Sequence, residues 1–198
     1  MKRRTFIKKN AIVTLAPFIT TGLLARNKKI KSLSEKPFQL NYAPHFGMFE
    51  SMAGKDLIDQ IQFMHDQGFR SLEDNGMKNR SKKTQNDIAK KMEELGMSMG
   101  VFVGHKIYWK EPNLTSGDKS LQDEFVENIR DSVEVAKRVN ATWMTIVPGH
   151  IDLKKEMDYQ TANVIEALKR AAEILEKHNL VMAVSYTHLR AHETRYHR

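Results

Sequence analysis

One pattern recurs four times along the chain and limits its fold more than any other feature. An amphipathic helix ends, a Gly or Asn follows, and a short apolar strand begins. The spacing predicts helices over 54–67, 84–95, 121–139 and 158–178. Their apolar residues recur at i, i+3 and i+4, which puts one stripe on each helix. The stripes are Leu57, Ile58, Ile61 and Met64; then Ile88, Met92 and Leu95; then Leu121, Phe125, Ile129, Val133, Ala136 and Val139; then Val164, Ile165, Leu168, Ala171, Ala172 and Leu175. Gly68, Gly96, Asn140 and Asn179 stand where the helices stop. These residue types tolerate the left-handed conformation of a helix C-cap. The runs that follow are FRSLE (69–73), MSMGVFV (97–103), ATWMTIV (141–147) and LVMAV (180–184). They are short and mostly apolar, as strands buried on both faces should be. FQLNYA (38–43) supplies a strand ahead of the first helix.

Such alternation implies a parallel sheet with right-handed crossovers. It fits either an eight-stranded barrel or an open doubly wound sheet. No G-x-G-x-x-G follows the first strand, so a dinucleotide-binding sheet loses support. A complete barrel takes about 200–250 residues, and the repeating region 38–183 has 146. The expected fold is α/β: an incomplete (β/α)8 TIM barrel, with about four βα units plus a fifth strand.

The net charge of +8 would suggest a nucleic-acid partner if it were spread over the fold. It is not. Residues 1–36 carry ten Lys/Arg against one acid, whereas residues 37–183 carry 19 against 22. The folded region is slightly acidic, and no nucleic-acid partner is expected. There is no Cys, which excludes a disulfide scaffold, a thiolate metal site and a cysteine nucleophile. At the N-terminus, Lys2-Arg3-Arg4-Thr5-Phe6-Ile7-Lys8 precedes a mostly apolar stretch from Ala11 to Leu24. A charged start before a short apolar run reads as an export signal, too short for a membrane span and interrupted by Pro17. The Arg3-Arg4-x-Phe6-Ile7-Lys8 run resembles a twin-arginine signal. The expected organisation is a signal segment over 1–25, a linker over 26–37 and the barrel region over 38–184. The expected location is the periplasm.

Ligands bind at the carboxyl ends of parallel strands. His45 follows the first expected strand, Glu73 closes the second, His105 follows the third and His150 the fourth. Imidazoles and carboxylates placed there suit metal ligation or proton transfer. These four are the candidate site residues, facing a small oxygen-rich substrate. A carboxylate closing an apolar strand needs a partner, so Glu73 is the most telling of them. Tyr108 and Trp109 read either as a substrate wall or as cover for the barrel top. Met48, Phe49 and Met52 read as packing, and Lys82-Lys83 and Lys90-Lys91 as solvated helix surface.

The runs LNYAPHFGMFE (40–50), GFRSLEDNGM (68–77) and HNLVMAV (178–184) resemble the hydroxypyruvate isomerase family, within the xylose-isomerase-like TIM barrels. The resemblance implies an isomerase that moves a proton between the carbons flanking a carbonyl of a small sugar or hydroxy-keto acid. It also implies a divalent metal in the intact family member, held by carboxylates and a His or Gln on strands five to eight. Ser185 stands where the resemblance would put a proton-transferring, metal-binding glutamate. No catalytic glutamate or metal ligand therefore carries over, and no metal is expected in this chain. Only the substrate-side candidates carry over. Related barrels, namely a ketose epimerase, an inosose dehydratase or an abasic-site endonuclease, are the alternatives within enzymes. The acidic core argues against the last of these. A non-catalytic exported sugar-binding protein is the alternative outside them.

The segment VSYTHLRAHET (184–194) has no helical or strand period and resembles the translation of a transposase-type sequencing adapter. Residues 185–198 are therefore expected to be a non-native tail joined to a shortened gene, and the chain as written is expected to be inactive. His188, His192 and His197 are set aside as metal ligands on that ground.

Overall fold

The computed structural model describes residues 36–185, all within the unit Ser32–Arg198. The signal segment over 1–25, the linker as far as residue 35 and the tail from residue 186, with His188, His192 and His197, lie outside the described residues. The helices are α1 (Glu50–Ala53), α2 (Leu57–Asp66), α3 (Lys82–Glu94), α4 (Lys119–Val139) and α5 (Met157–Leu175). The strands are β1 (Ser71–Leu72), β2 (Ser98–Met99), β3 (Val101–Val103), β4 (Trp143–Ile146) and β5 (Val181–Val184).

Every strand pairing is parallel, and the order follows the sequence. β1 pairs with β2, β3 with β4, and β4 with β5. β2 and β3 are one extended stretch divided at Gly100. The Gly100 N–H donates to Leu72 O at 2.7 Å, and the Asp74 N–H to Val101 O at 3.2 Å, so the ladder crosses the division. A Cβ at Gly100 would lie 3.1 Å from Leu72 O, which is why this register takes a glycine. No strand-order reversal occurs among the described residues, as a barrel segment requires and a doubly wound sheet does not. The barrel is not closed among the described residues.

The helix ends follow the chemistry of their caps. Asp56, Ser81 and Asp118 accept backbone N–H bonds at the starts of α2, α3 and α4. Asn140 (φ 52°) and Asn179 (φ 55°) take the left-handed conformation at the turns into β4 and β5. The core lies between helices and sheet. Phe102, Met144 and Ile146 from the strands meet Ile61, Ile88, Phe125 and Ile129 from the helices, all fully or nearly fully buried. No helix among the described residues is long and apolar enough to cross a membrane.

Two expectations are corrected. Residues 38–43 form no strand. The Tyr42 N–H turns back onto Leu40 O at 3.0 Å, which takes it out of any ladder, and this region meets the sheet through an isolated His45–Glu73 bridge and a 3.5 Å contact from Asn41 Nδ2 to Ser98 Oγ. Phe38, Leu40 and Tyr42 are exposed in consequence. In α5 the buried stripe runs through Val164, Ala167, Ala171 and Leu175, leaving Ile165 exposed. Small alanines bring this helix close to α4 and to the turn Leu114–Ser116.

A polar repeat accompanies the apolar one. The fourth residue of α2, α3, α4 and α5 is a buried glutamine: Gln60, Gln85, Gln122 and Gln160. Gln60 accepts from the Gly47 N–H and donates to Gly54 O. Gln85 donates to Met77 O and Arg80 O. Gln160 accepts from the Asp152 N–H and donates to Asp152 O and Lys155 O. Each of these three ties down the loop that precedes its helix. Gln122 reaches Asn163 O on α5 instead.

Candidate functional site

The loops leaving the strands enclose a cleft of about 730 Å³. The β1–α3 loop contributes Asn75, Lys78 and Asn79. β3 and the loop after it contribute Val103, His105, Lys106, Ile107 and Trp109. Thr145 and Val147 come from β4 and its end, Asn128 from α4, and Ser185 from the residue after β5. The cleft thus lies at the carboxyl ends of the parallel strands, where open α/β folds and barrels bind ligands.

The β1–α3 loop is held rigidly. Asp74 is buried and accepts from Arg80 Nε at 2.5 Å, Arg80 Nη2 at 3.2 Å and the Gly76 N–H at 3.0 Å. The Arg80 guanidinium also lies 5.1 Å from the centre of the Phe46 ring. Between these anchors stands Lys78. Its Nζ donates to Asn128 O and Asn128 Oδ1, both at 2.8 Å, and makes a longer contact of 3.5 Å with Gly104 O. Burial pulls its pKa below the usual lysine value, against the opposing attraction of Asp131. At the cleft edge Lys106 donates to the Tyr108 hydroxyl at 2.7 Å and lies 3.7 Å from Glu124, which itself accepts from Tyr108 at 2.8 Å.

The four strand-end candidates do not converge. His45 Nε2 lies 2.7 Å from Glu73 Oε1, so the partner that Glu73 needs is His45. Neither lines the cleft. His105 does, but it is buried, with Nδ1 2.8 Å from Lys106 O and Nε2 accepting the Val147 N–H at 3.0 Å. The acceptor at Nε2 puts the ring proton on Nδ1, so both nitrogens are committed to backbone. Burial pushes its pKa down to about 4, which keeps it neutral. It latches the end of β3 to the end of β4. The His150 side chain is exposed, while its carbonyl accepts from Thr115 Oγ1 at 2.5 Å and its backbone bridges to Pro112.

Sequence reasoning missed Lys78, Asn75, Asn79 and Asn128. The signal available was the DNGMKN run directly after a strand end, where four polar side chains enter one βα loop. The divalent cation implied by the resemblance does not fit the described residues. No three His, Asp or Glu side chains converge among them. The cleft lining has no carboxylate, and its one imidazole has no free nitrogen.

The fold is shared with solved enzymes of low sequence identity. D-psicose 3-epimerase from Clostridium cellulolyticum H10, solved with D-tagatose, is 15% identical with a TM-score of 0.57, covering 73% of this chain and 52% of that one. The 3-keto-D-glucoside 4-epimerase from E. coli is 11% identical with a TM-score of 0.58, covering 74% and 56%. An AP endonuclease of family 2 from Brucella melitensis is 14% identical with a TM-score of 0.52, covering 72% and 53%. The chain spans about half the length of each of these structures. No curated protein matches it in sequence. The family of xylose isomerase-like TIM barrels matches residues 61–188, and the chain belongs to that family.

Proposed function

We propose that the cleft is the substrate-binding side of a sugar or hydroxy-keto-acid isomerase of the hydroxypyruvate isomerase-like kind, exported through the segment 1–25. The cleft itself carries the reading. Ammonium, amide and hydroxyl groups stand beside an indole at the carboxyl ends of parallel strands. That combination suits a small polyoxygenated ligand, which needs several directed hydrogen bonds and one flat apolar wall. We keep His45 and Glu73 as a substrate-side pair. In this reading His105 is scaffold and His150 shapes its loop. The described residues put no carboxylate base in the cleft, so the expectation for this chain is binding without turnover. A ketose epimerase is the second reading, favoured by the two epimerases that share the fold.

The chain has two tryptophans, and only Trp109 lines the cleft; Trp143 begins β4. Two indole N–H signals in a proton–nitrogen correlation spectrum therefore report on the cleft and on a control position. Hydroxypyruvate or D-fructose should shift the Trp109 signal and leave that of Trp143 in place. A stronger response to D-fructose favours the epimerase. No shift with either ligand overturns the reading, and solvent-hydrogen incorporation into hydroxypyruvate overturns its binding-only part.

A further inference from the structure

The cleft differs in charge from the domain around it. Residues 37–183 carry more acids than bases, yet the cleft is lined by two lysines and no carboxylate. The two lysines are not equivalent. Lys106 is compensated by Glu124 at 3.7 Å. Lys78 makes no ion pair among the described residues: its close partners, Asn128 O and Oδ1, are neutral, and Asp131 acts on it only as a weaker long-range attraction. Neutral carbonyls orient an ammonium but leave its charge standing, and a half-buried charge is screened less by solvent than an exposed one.

One donor of Lys78 is also poorly used. Its contact with Gly104 O is 3.5 Å long, and that carbonyl already accepts from Ser132 Oγ at 2.6 Å. Losing the Lys78 contact would therefore not orphan it. Asn75 and Asn79 line the same cleft, and their side-chain amides make no hydrogen bond among the described residues. His105 adds no charge, because its ring stays neutral.

We propose that Lys78, with Asn75 and Asn79, forms an anion subsite that takes the carboxylate or phosphate group of the cleft's ligand. This rests on the reading of the cleft as a substrate site and narrows it to acidic substrates. An anion entering the cleft takes the third Lys78 N–H in place of Gly104 O and adds amide donors from the same loop. A neutral sugar gains the amides and not the charge. The Asp74–Arg80 clamp on either side of Lys78 means that little ordering remains to be done on binding.

The test uses the full chain and the Trp109 indole signal. The probes are glycolate, inorganic phosphate, and glycolamide as the neutral counterpart of glycolate. Glycolate or phosphate should bind at least about tenfold more tightly than glycolamide, as charge-assisted hydrogen bonds are stronger than neutral ones. Preference for glycolate identifies a carboxylate subsite, and preference for phosphate a phosphate subsite. Lys78→Met should abolish the preference, while Lys83→Met, on the exposed face of α3, should leave it intact. Equal binding of glycolate and glycolamide by the unaltered chain overturns the proposal without any variant, and so does an undiminished preference in Lys78→Met. If glycolate or phosphate binds through Lys78 but hydroxypyruvate and D-fructose do not bind, the subsite stands and the isomerase reading falls. If hydroxypyruvate and D-fructose bind equally well to Lys78→Met, the isomerase reading stands and the subsite falls.

Discussion

Gly104 is the position where one methyl group should do the most damage. It follows β3, between Val103 and His105 of the cleft lining, and its φ is not in the left-handed range, so the obstacle is space alone. A Cβ there would lie 2.1 Å from Met144 Sδ, 2.5 Å from Met144 Cγ and 3.4 Å from Ile129 Cδ1. Ordinary contact distances are about 3.5–4.0 Å, so the methionine must retreat by roughly 1.5 Å. Met144 and Ile129 are both fully buried, which leaves nowhere open for it to go. Overpacking of this kind costs about 1–3 kcal/mol. The reduced freedom of the unfolded alanine chain returns about 0.4–1 kcal/mol. Gly104→Ala should therefore destabilise by roughly 1–2 kcal/mol and lower a urea midpoint by roughly 0.5–1.5 M. A double-mutant cycle isolates the cause. Met144→Ala removes both clashing atoms, so adding Gly104→Ala in that background should cost at least about 1 kcal/mol less than in the parent. An unchanged midpoint, or additivity in the cycle, would refute the packing argument.

Three further outcomes follow from the structure. His105 is pushed down to about 4 when folded and returns to about 6.5 when unfolded. The unfolded state then binds the extra proton between those values, so the contribution is complete above pH 6.5 and is lost as pH falls toward 4. Wild-type stability should drop more steeply than that of His105→Gln by about 1.4 kcal/mol per pH unit in this window, and parallel urea-midpoint profiles would contradict it. Gln85→Met keeps volume but takes the Gln85 donor from Arg80 O, leaves Met77 O with the Arg80 N–H alone and removes the acceptor of Arg138 Nη1, which should cost about 1–3 kcal/mol in urea unfolding and loosen the loop that carries Lys78. Export of a folded reporter fused to residues 1–37 should stop when Arg3 and Arg4 are both replaced by Lys; continued export would remove the twin-arginine reading.

The parts of the fold that were legible in sequence are those decided locally. Asn140 and Asn179 announce the turns into β4 and β5 because few other residues adopt a left-handed backbone cheaply, and both do so here. The missing first strand was not decided locally. FQLNYA has strand-like composition, but a strand exists only where a neighbour satisfies its ladder, and here the Tyr42 N–H is taken by Leu40 O. The face of α5 was misread for a similar reason. Periodicity favours Ile165, whereas close approach to α4 favours Ala167, and only the packed structure shows which requirement prevails.

The site was less legible because attention to strand-end histidines weighs residue chemistry above residue geometry. His105 occupies the cleft and is chemically spent on Lys106 O and the Val147 N–H. Lys78 looks in sequence like any surface lysine, and it becomes distinctive only because the Asp74–Arg80 clamp and α4 hold its ammonium against Asn128. Besides the DNGMKN run, the glutamine repeat is a signal that could have pointed there. A buried amide at the fourth position of a helix can satisfy the loose carbonyls and N–H groups of the loop before it, a task apolar residues cannot perform. Gln60, Gln85 and Gln160 each do this, so the same device fixes the segment before α2 and the two βα loops that follow β1 and β4. In this chain the apolar stripe decides where a helix packs, and the glutamine beside it decides how firmly the adjoining loop is held. In the loop that carries Lys78, the ion pair of Arg80 with the buried Asp74 adds a second anchor to the glutamine.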